Sequence, residues 1–246
     1  MLKDSQDAHG HIMHDCLKGG APIEIIERDD GYFDASDGKV YLSTHDEWPQ
    51  VQKEALRHAR GRVLDIGCGA GRHSLHLQSM GLEVVGIDVS PLAIETCRLR
   101  GLKDARVMSI NEVTPELGPF DTILMMGNNF GLFGSSSGAK RLLRRFLAVT
   151  SPDGLIIAET MDPHKTENPD HLAYHKRNLK RGRMPGQVRI RVRYRKYVTP
   201  WFDYLFISQE EMGDILGDTG WRIKEAIDGQ GPRYVAVIEK GDVDTG

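Results

Sequence analysis

The stretch Val63-Leu64-Asp65-Ile66-Gly67-Cys68-Gly69-Ala70-Gly71 limits this chain more than any other. An apolar run of strand type holds an acidic residue and passes into three glycines at alternate positions. Glycine tolerates positive φ and has no Cβ, so such a turn reverses sharply and lets a ligand approach the main chain. A helix is predicted from Arg72, and its first N–H groups are free to meet an anionic group. The spacing is not that of a dinucleotide-binding loop, which asks for G-x-G-x-x-G. Counted from Gly67, the third glycine position holds Arg72; counted from Gly69, it holds Ser74. A nicotinamide-dependent oxidoreductase is disfavoured on that ground.

Around this loop the hydrophobic rhythm alternates between strand and helix. Strands are predicted at 62–67, 83–88, 105–110, 120–126 and 155–160, with helices at 72–80, 91–100 and 139–149 between them. Ser90 caps the second helix and Pro91 opens it. Apolar strands separated by helices indicate a parallel sheet covered on both faces. A capping box at Ser208–Glu211 starts a closing helix, and the strands 221–227 and 233–240 are too close for a crossover, so an antiparallel hairpin is expected. The expected fold is α/β: a doubly wound, seven-stranded, mostly parallel sheet with an antiparallel last strand, plus N-terminal and inserted lid segments.

The D-x-G-x-G-x-G stretch, with Asp88 closing the second strand, the Ser151-Pro-Asp-Gly154 turn before the fifth and the final hairpin, resembles the class I methyltransferases that use S-adenosylmethionine (SAM). The resemblance covers roughly 46–162 and 201–240. It implies that SAM is the cofactor and S-adenosylhomocysteine the product. It implies that Gly67, Cys68, Gly69 and Gly71 pass beneath the methionine part of SAM. Asp65 would hold the loop and accept from the ammonium, directly or through water. Asp88 would accept from the ribose hydroxyls, with Val89 beside it. Asn111 follows the third strand, where many relatives bind the adenine amino group. Gly127 ends the fourth strand next to Asn128 and Asn129, the candidates for positioning an acceptor. No general base announces itself, and the absence of two prolines after Asn129 speaks against a DNA amino group as acceptor.

Two segments lie outside the common core. Residues 1–45 read as a mobile tail to about residue 20 and then a lid segment with short strands over 23–42. Residues 162–200 read as a basic substrate-lid insertion within a methyltransferase domain spanning 46–241. Tyr32, Tyr41, Trp201 and Arg193 are the candidate substrate contacts from these segments. From His171 to Tyr197 there are ten Lys or Arg and no Asp or Glu, so a chain of net charge −3 divides into a +10 segment and a −13 remainder. Within it, Val188, Ile190, Val192 and Tyr194 alternate with Arg189, Arg191, Arg193 and Arg195, which makes a strand with one apolar face and one arginine row. That row reads either as a solvated or acid-paired face, or as a wall for an anionic acceptor.

Composition narrows the remaining classes. No run approaches the length of a transmembrane helix, and the polar, acidic start lacks a signal-peptide pattern. Three scattered cysteines make neither a disulfide framework nor a C-x-x-C metal site. No metal is expected, and a reducing, cytoplasmic setting is. The expected activity is methyl transfer to O or N of a small-molecule acceptor. An RNA or protein substrate using the basic segment, and a SAM-binding protein without turnover, are the alternatives.

Overall fold

A computed structural model of the chain describes residues 2–241. In chain order the elements are α1 (Ala8–Leu17), β1 (Ile23–Arg28), β2 (Phe33–Asp37), α2 (Gln50–Ala55), β3 (Arg62–Ile66), α3 (Arg72–Ser79), β4 (Glu83–Asp88), α4 (Pro91–Leu99), β5 (Asp104–Val107) and β6 (Phe120–Met125). They continue with α5 (Ser136–Val149), β7 (Thr150–Met161), α6 (Pro169–Lys180), β8 (Gln187–Tyr194), β9 (Tyr197–Val198), β10 (Phe202–Leu205), α7 (Gln209–Leu216), β11 (Trp221–Asp228) and β12 (Arg233–Lys240).

Seven strands form one sheet in the order β11-β12-β7-β6-β3-β4-β5. The pairs β3–β4, β4–β5 and β6–β7 are parallel, while β12 runs antiparallel to both β7 and β11. This is the doubly wound arrangement expected from the sequence. A smaller sheet has the order β10-β8-β1-β2, with β9 paired to β8.

The chain divides into two compact units. The first comprises residues 2–48, Arg62–Val113 and Arg189–Phe202. Its strands β3 and β4 are buried on both faces through Val63, Leu64, Val84, Val85 and Ile87, as the apolar runs require. The second comprises Pro49–Gly61, Thr114–Val188 and 203–241. There α5 buries Ala139, Leu142, Leu143, Phe146 and Val149, a stripe at helical spacing, and Ser135 caps it by accepting from Gly138 N.

The reading of residues 1–20 as a mobile tail is corrected. Residues 8–17 form α1, capped by the Asp7 side chain, and bury Ala8, Gly10, Ile12, Met13 and Cys16. Ala8, Ile12 and Cys16 recur every fourth residue, which is the stripe that fixes the helix. The basic segment holds α6, capped by Asn168 with Pro169 in its first turn. The alternating strand ends earlier than expected, because Arg195 adopts a left-handed φ of 51° and turns the chain into β9.

Candidate cofactor site

The loop after β3 is built by its glycines. Gly67, Gly69 and Gly71 have φ of 71°, 54° and 77°, the left-handed region that other residues enter at a cost. Space forbids side chains there as well: a Cβ on Gly71 would lie 2.9 Å from Cys97 Sγ. The loop is pinned to the neighbouring strand, since Gly67 N and Cys68 N both donate to Ile87 O at 2.8 and 3.1 Å. Cys68 packs inward, 3.8 Å from Cys97 Sγ, and Cys97 Sγ donates to Gly69 O. Gly71 is the N-cap of α3. The first N–H groups of that helix therefore lie directly beyond the loop.

Two carboxylates stand at the strand ends. Asp65 is 2% exposed and accepts from Ser74 Oγ at 2.5 Å. Burial pushes its carboxyl up to about 7; Ser74 and Arg72 oppose the rise and the charge of Asp88 adds to it. Asp88 accepts from Gly69 N at 3.1 Å and from Ser90 N at 2.9 Å. Its carboxyl is also raised, by burial first, against the pull of those two N–H groups and of His9. Two oxygens held by backbone donors at the end of a strand leave lone pairs for a pair of hydroxyls. Val89, next along, is 46% exposed, an apolar surface available to a flat ring. Asn111 sits in a short 3-10 turn, Ile110–Glu112, capped by Ser109, with its side chain at the surface. Asp65, Gly67, Cys68, Gly69, Gly71, Asp88, Val89 and Asn111 thus all belong to the first unit. Their donor set fits SAM: carboxylates for an ammonium and a diol, a side-chain-free loop for the methionine part, and an apolar contact for the base.

Four further features were missed from the sequence or differ from it. His9, Glu24, Ser36 and Tyr41 form a polar cluster in the first unit. The hydroxyl of Tyr41, one of the candidate substrate contacts, donates to Glu24. Arg191 and Arg193 converge on Glu27, and Arg191 also covers the Trp201 ring at 4.5 Å. Those bonds hold the Glu27 carboxyl down at about 2. Tyr32 lies at the β1–β2 turn beneath Arg28.

The second unit carries the end of β6. Gly127 (φ 69°) donates its N–H to Glu159 Oε2 at 2.7 Å. Glu159, on β7, is buried and also accepts from Gln52 Nε2 and faces Arg233 Nε. Asn128 is left-handed (φ 66°), and its carbonyl accepts from Tyr204 Oη at 2.6 Å. Its side-chain Oδ1 is buried without a hydrogen-bond partner among the described residues. Asn129 opens the 3-10 turn that follows. A charged residue inside the apolar run Leu155–Thr160 was the signal that could have found Glu159.

Residues 63–154 match a family model described as a methyltransferase domain. A SAM-dependent methyltransferase from Bacteroides fragilis, crystallised with S-adenosyl-L-homocysteine, is similar in fold at a TM-score of 0.84 and 28% identity, covering 98% of each chain. A ubiquinone biosynthesis O-methyltransferase of Xanthomonas oryzae pv. oryzae is 38% identical over 74 residues, 28% of this chain and 31% of that one. YqeM of Bacillus subtilis is 22% identical over 139 residues, 55% of this chain. The chain thus spans 56% of the length of YqeM and under a third of the Xanthomonas enzyme. No helix among the described residues is long and apolar enough to cross a membrane. The glycine loop, the two acidic strand ends and the reversed last strand, with these likenesses, give the chain the fold of the class I SAM-dependent methyltransferases and a methyltransferase-domain match over 63–154.

Proposed function

We propose that this chain transfers a methyl group from SAM to an oxygen or nitrogen of a small-molecule acceptor. The observation that carries the reading is the cradle of Asp65, Gly67–Gly71 and Asp88, with a likeness over nearly the full chain to an enzyme crystallised with S-adenosylhomocysteine. When bound, SAM supplies a methyl group on a sulfonium, an activated leaving group that needs no enzyme nucleophile. The residues of the chain bind, orient and exclude water. Asp88 accepts from the ribose hydroxyls, and Val89 packs on the adenine, whose amino group Asn111 meets. Asp65 accepts from the ammonium. On the family resemblance the end of β6 receives the acceptor. There Glu159 and Tyr204 fix the main chain of Gly127 and Asn128, and the buried Asn128 Oδ1 accepts from a donor on the incoming molecule. Positioning of this kind is worth roughly 7–11 kcal/mol of barrier.

The segments 1–45 and 162–200 supply the specificity, in a domain that otherwise spans 46–241. A small acceptor is favoured over RNA because the most regular part of the basic segment is already paired, with Arg191 and Arg193 both bonded to Glu27. Incubation with SAM and a panel of hydroxyl- and amine-bearing metabolites, reading S-adenosylhomocysteine, tests the proposal. Product with RNA and with no metabolite would reverse the choice of substrate. SAM binding with no product from any acceptor class would favour a protein that binds SAM without turnover.

A further inference from the structure

Helix α1 lies on the loop and turn that hold the cofactor residues. A Cβ on Gly69 would come within 3.0 Å of Met13 Cε. Gly10 allows the helix to reach the start of α4, where a Cβ would meet Ser90 Oγ at 2.4 Å and Leu92 Cβ at 2.6 Å. Asp7 joins the two, accepting from Gly10 N at 3.0 Å and from Leu92 N at 3.1 Å.

His9 projects from this helix with a carboxylate behind it. Its Nε2 is 3.2 Å from Glu24 Oε1, to which Tyr41 Oη donates at 2.7 Å, and Ser36 Oγ donates to Glu24 Oε2 at 2.8 Å. Glu24 is 4% exposed, whereas its strand neighbours Ile23 and Ile25 face outward. A strand that turns a glutamate in and isoleucines out inverts the pattern that folding rewards, and such inversions collect at functional sites. The His9 side chain is one-third exposed, and it meets Glu24 through Nε2, which leaves Nδ1 on the far side of the ring. The ionisable groups facing it are Asp7 at the N-cap of α1, Glu24 on β1, Tyr41 beyond β2 and Asp88 at the end of β4. Burial disfavours the imidazolium, but the Glu24 bond and charge, then Asp88 and Asp7, outweigh it and raise the His9 pKa.

We propose that His9, oriented by Glu24, is a cofactor-binding residue: its Nδ1–H meets an oxygen of SAM or S-adenosylhomocysteine beside Asp88, and cofactor binding is linked to protonation of His9. The inference rests on the methyltransferase reading and adds to it a ligand from the N-terminal segment. The folded pKa is raised, so the donor form persists to higher pH than in a free imidazole and is lost as pH rises through the folded value.

Calorimetry with S-adenosylhomocysteine tests this on the full chain, in buffers of different ionisation enthalpy between about pH 7.5 and about pH 9, above the Asp65 titration. Wild type is expected to take up protons on binding and to weaken as pH rises. His9→Gln should bind about tenfold more weakly, as for loss of a charge-assisted hydrogen bond, and should lose the uptake. Glu24→Gln should move the fall in affinity to lower pH, and it decides the matter if His9→Gln does not fold. His11→Gln, whose ring pairs with Asp4 and stacks on Tyr197, should behave as wild type. Wild-type affinity and proton uptake in His9→Gln would overturn the inference alone. A wild-type chain that binds neither SAM nor S-adenosylhomocysteine would remove the methyltransferase reading, and this inference with it.

Discussion

Glu159 Oε2 accepts the Gly127 N–H at 2.7 Å, joining the turn just beyond β6 to the C-terminal end of its parallel neighbour β7. The same oxygen accepts from Gln52 Nε2 at 2.8 Å, so one buried carboxylate satisfies two donors. Glu159→Ala leaves both unpaired at about 1–3 kcal/mol each. Thermal unfolding should show the loss as a lower Tm, by about 2–4 °C per kcal/mol for a chain of this size. Glu159→Gln keeps one acceptor oxygen and should fall between. An unchanged Tm in the alanine variant would mean that the contact contributes nothing to stability.

Asp88 is expected to govern cofactor affinity. Each hydrogen bond to its carboxylate is worth roughly 1.5–3 kcal/mol, so Asp88→Ala should weaken SAM binding at least about tenfold. Equilibrium dialysis with labelled SAM reads this directly. Asp88→Asn should lose less, because the amide keeps one acceptor oxygen. Equal affinity in all three proteins would take Asp88 out of the site.

Asp65 should make SAM binding pH-dependent on the acid side of neutrality. Its folded pKa of about 7 lies above the ordinary carboxylate value, raised first by burial, so the protonated form is favoured in the free protein. A carboxyl of this kind makes the fold progressively less stable as pH rises from about 4 to about 7, after which the effect is constant. An ammonium bound beside it favours the carboxylate. Binding should therefore release a proton, and affinity should climb between about pH 5.5 and about pH 7. Asp65→Asn should flatten that limb and resist the loss of stability on raising pH. A wild-type affinity that is level across the range counts against the assignment.

The Glu27 cluster yields an outcome on the surface of the first unit. Glu27 has a folded pKa near 2, depressed first by its bond from Arg191 and then by Arg193. Its contribution to stability is present above the unfolded carboxylate value of about 4.3 and is lost as pH falls toward about 2. Acid unfolding of Glu27→Gln should start from a lower stability and lack that part of the acid dependence. The same substitution leaves two guanidinium groups without their counter-ion. Retention on a heparin column should rise, and the rise should vanish at high salt. Retention equal to wild type would show that Glu27 does not mask the row.

Much of the sheet was legible because its strands are apolar on both faces and its helices carry caps. The strand Glu83–Asp88 and the helix opening at Pro91 fall where Ser90 and the hydrophobic run put them. The glycine loop was legible because steric need writes itself as residue type. The N-terminal helix was not, since four polar histidine and acidic positions hide the spacing of Ala8, Ile12 and Cys16. The His9–Glu24–Tyr41 cluster was out of reach for another reason. His9 and Tyr41 lie 15 and 17 residues from Glu24 on either side and meet it only when α1 and the residues after β2 pack on one face of β1. The pairing of Arg191 with Glu27 spans 164 residues and depends on the β1–β8 register.

That register ties two distant electrostatic jobs to one strand. Glu24 and Glu27 point to opposite faces of β1, three residues apart, one beneath His9 and the other under the arginines. Slippage by a single position would exchange the faces and carry each glutamate away from its cation. Insertions or deletions inside 23–28 should therefore strip both faces of their charge partners in one event, whereas changes in the β1–β2 turn that preserve the pairing should spare both.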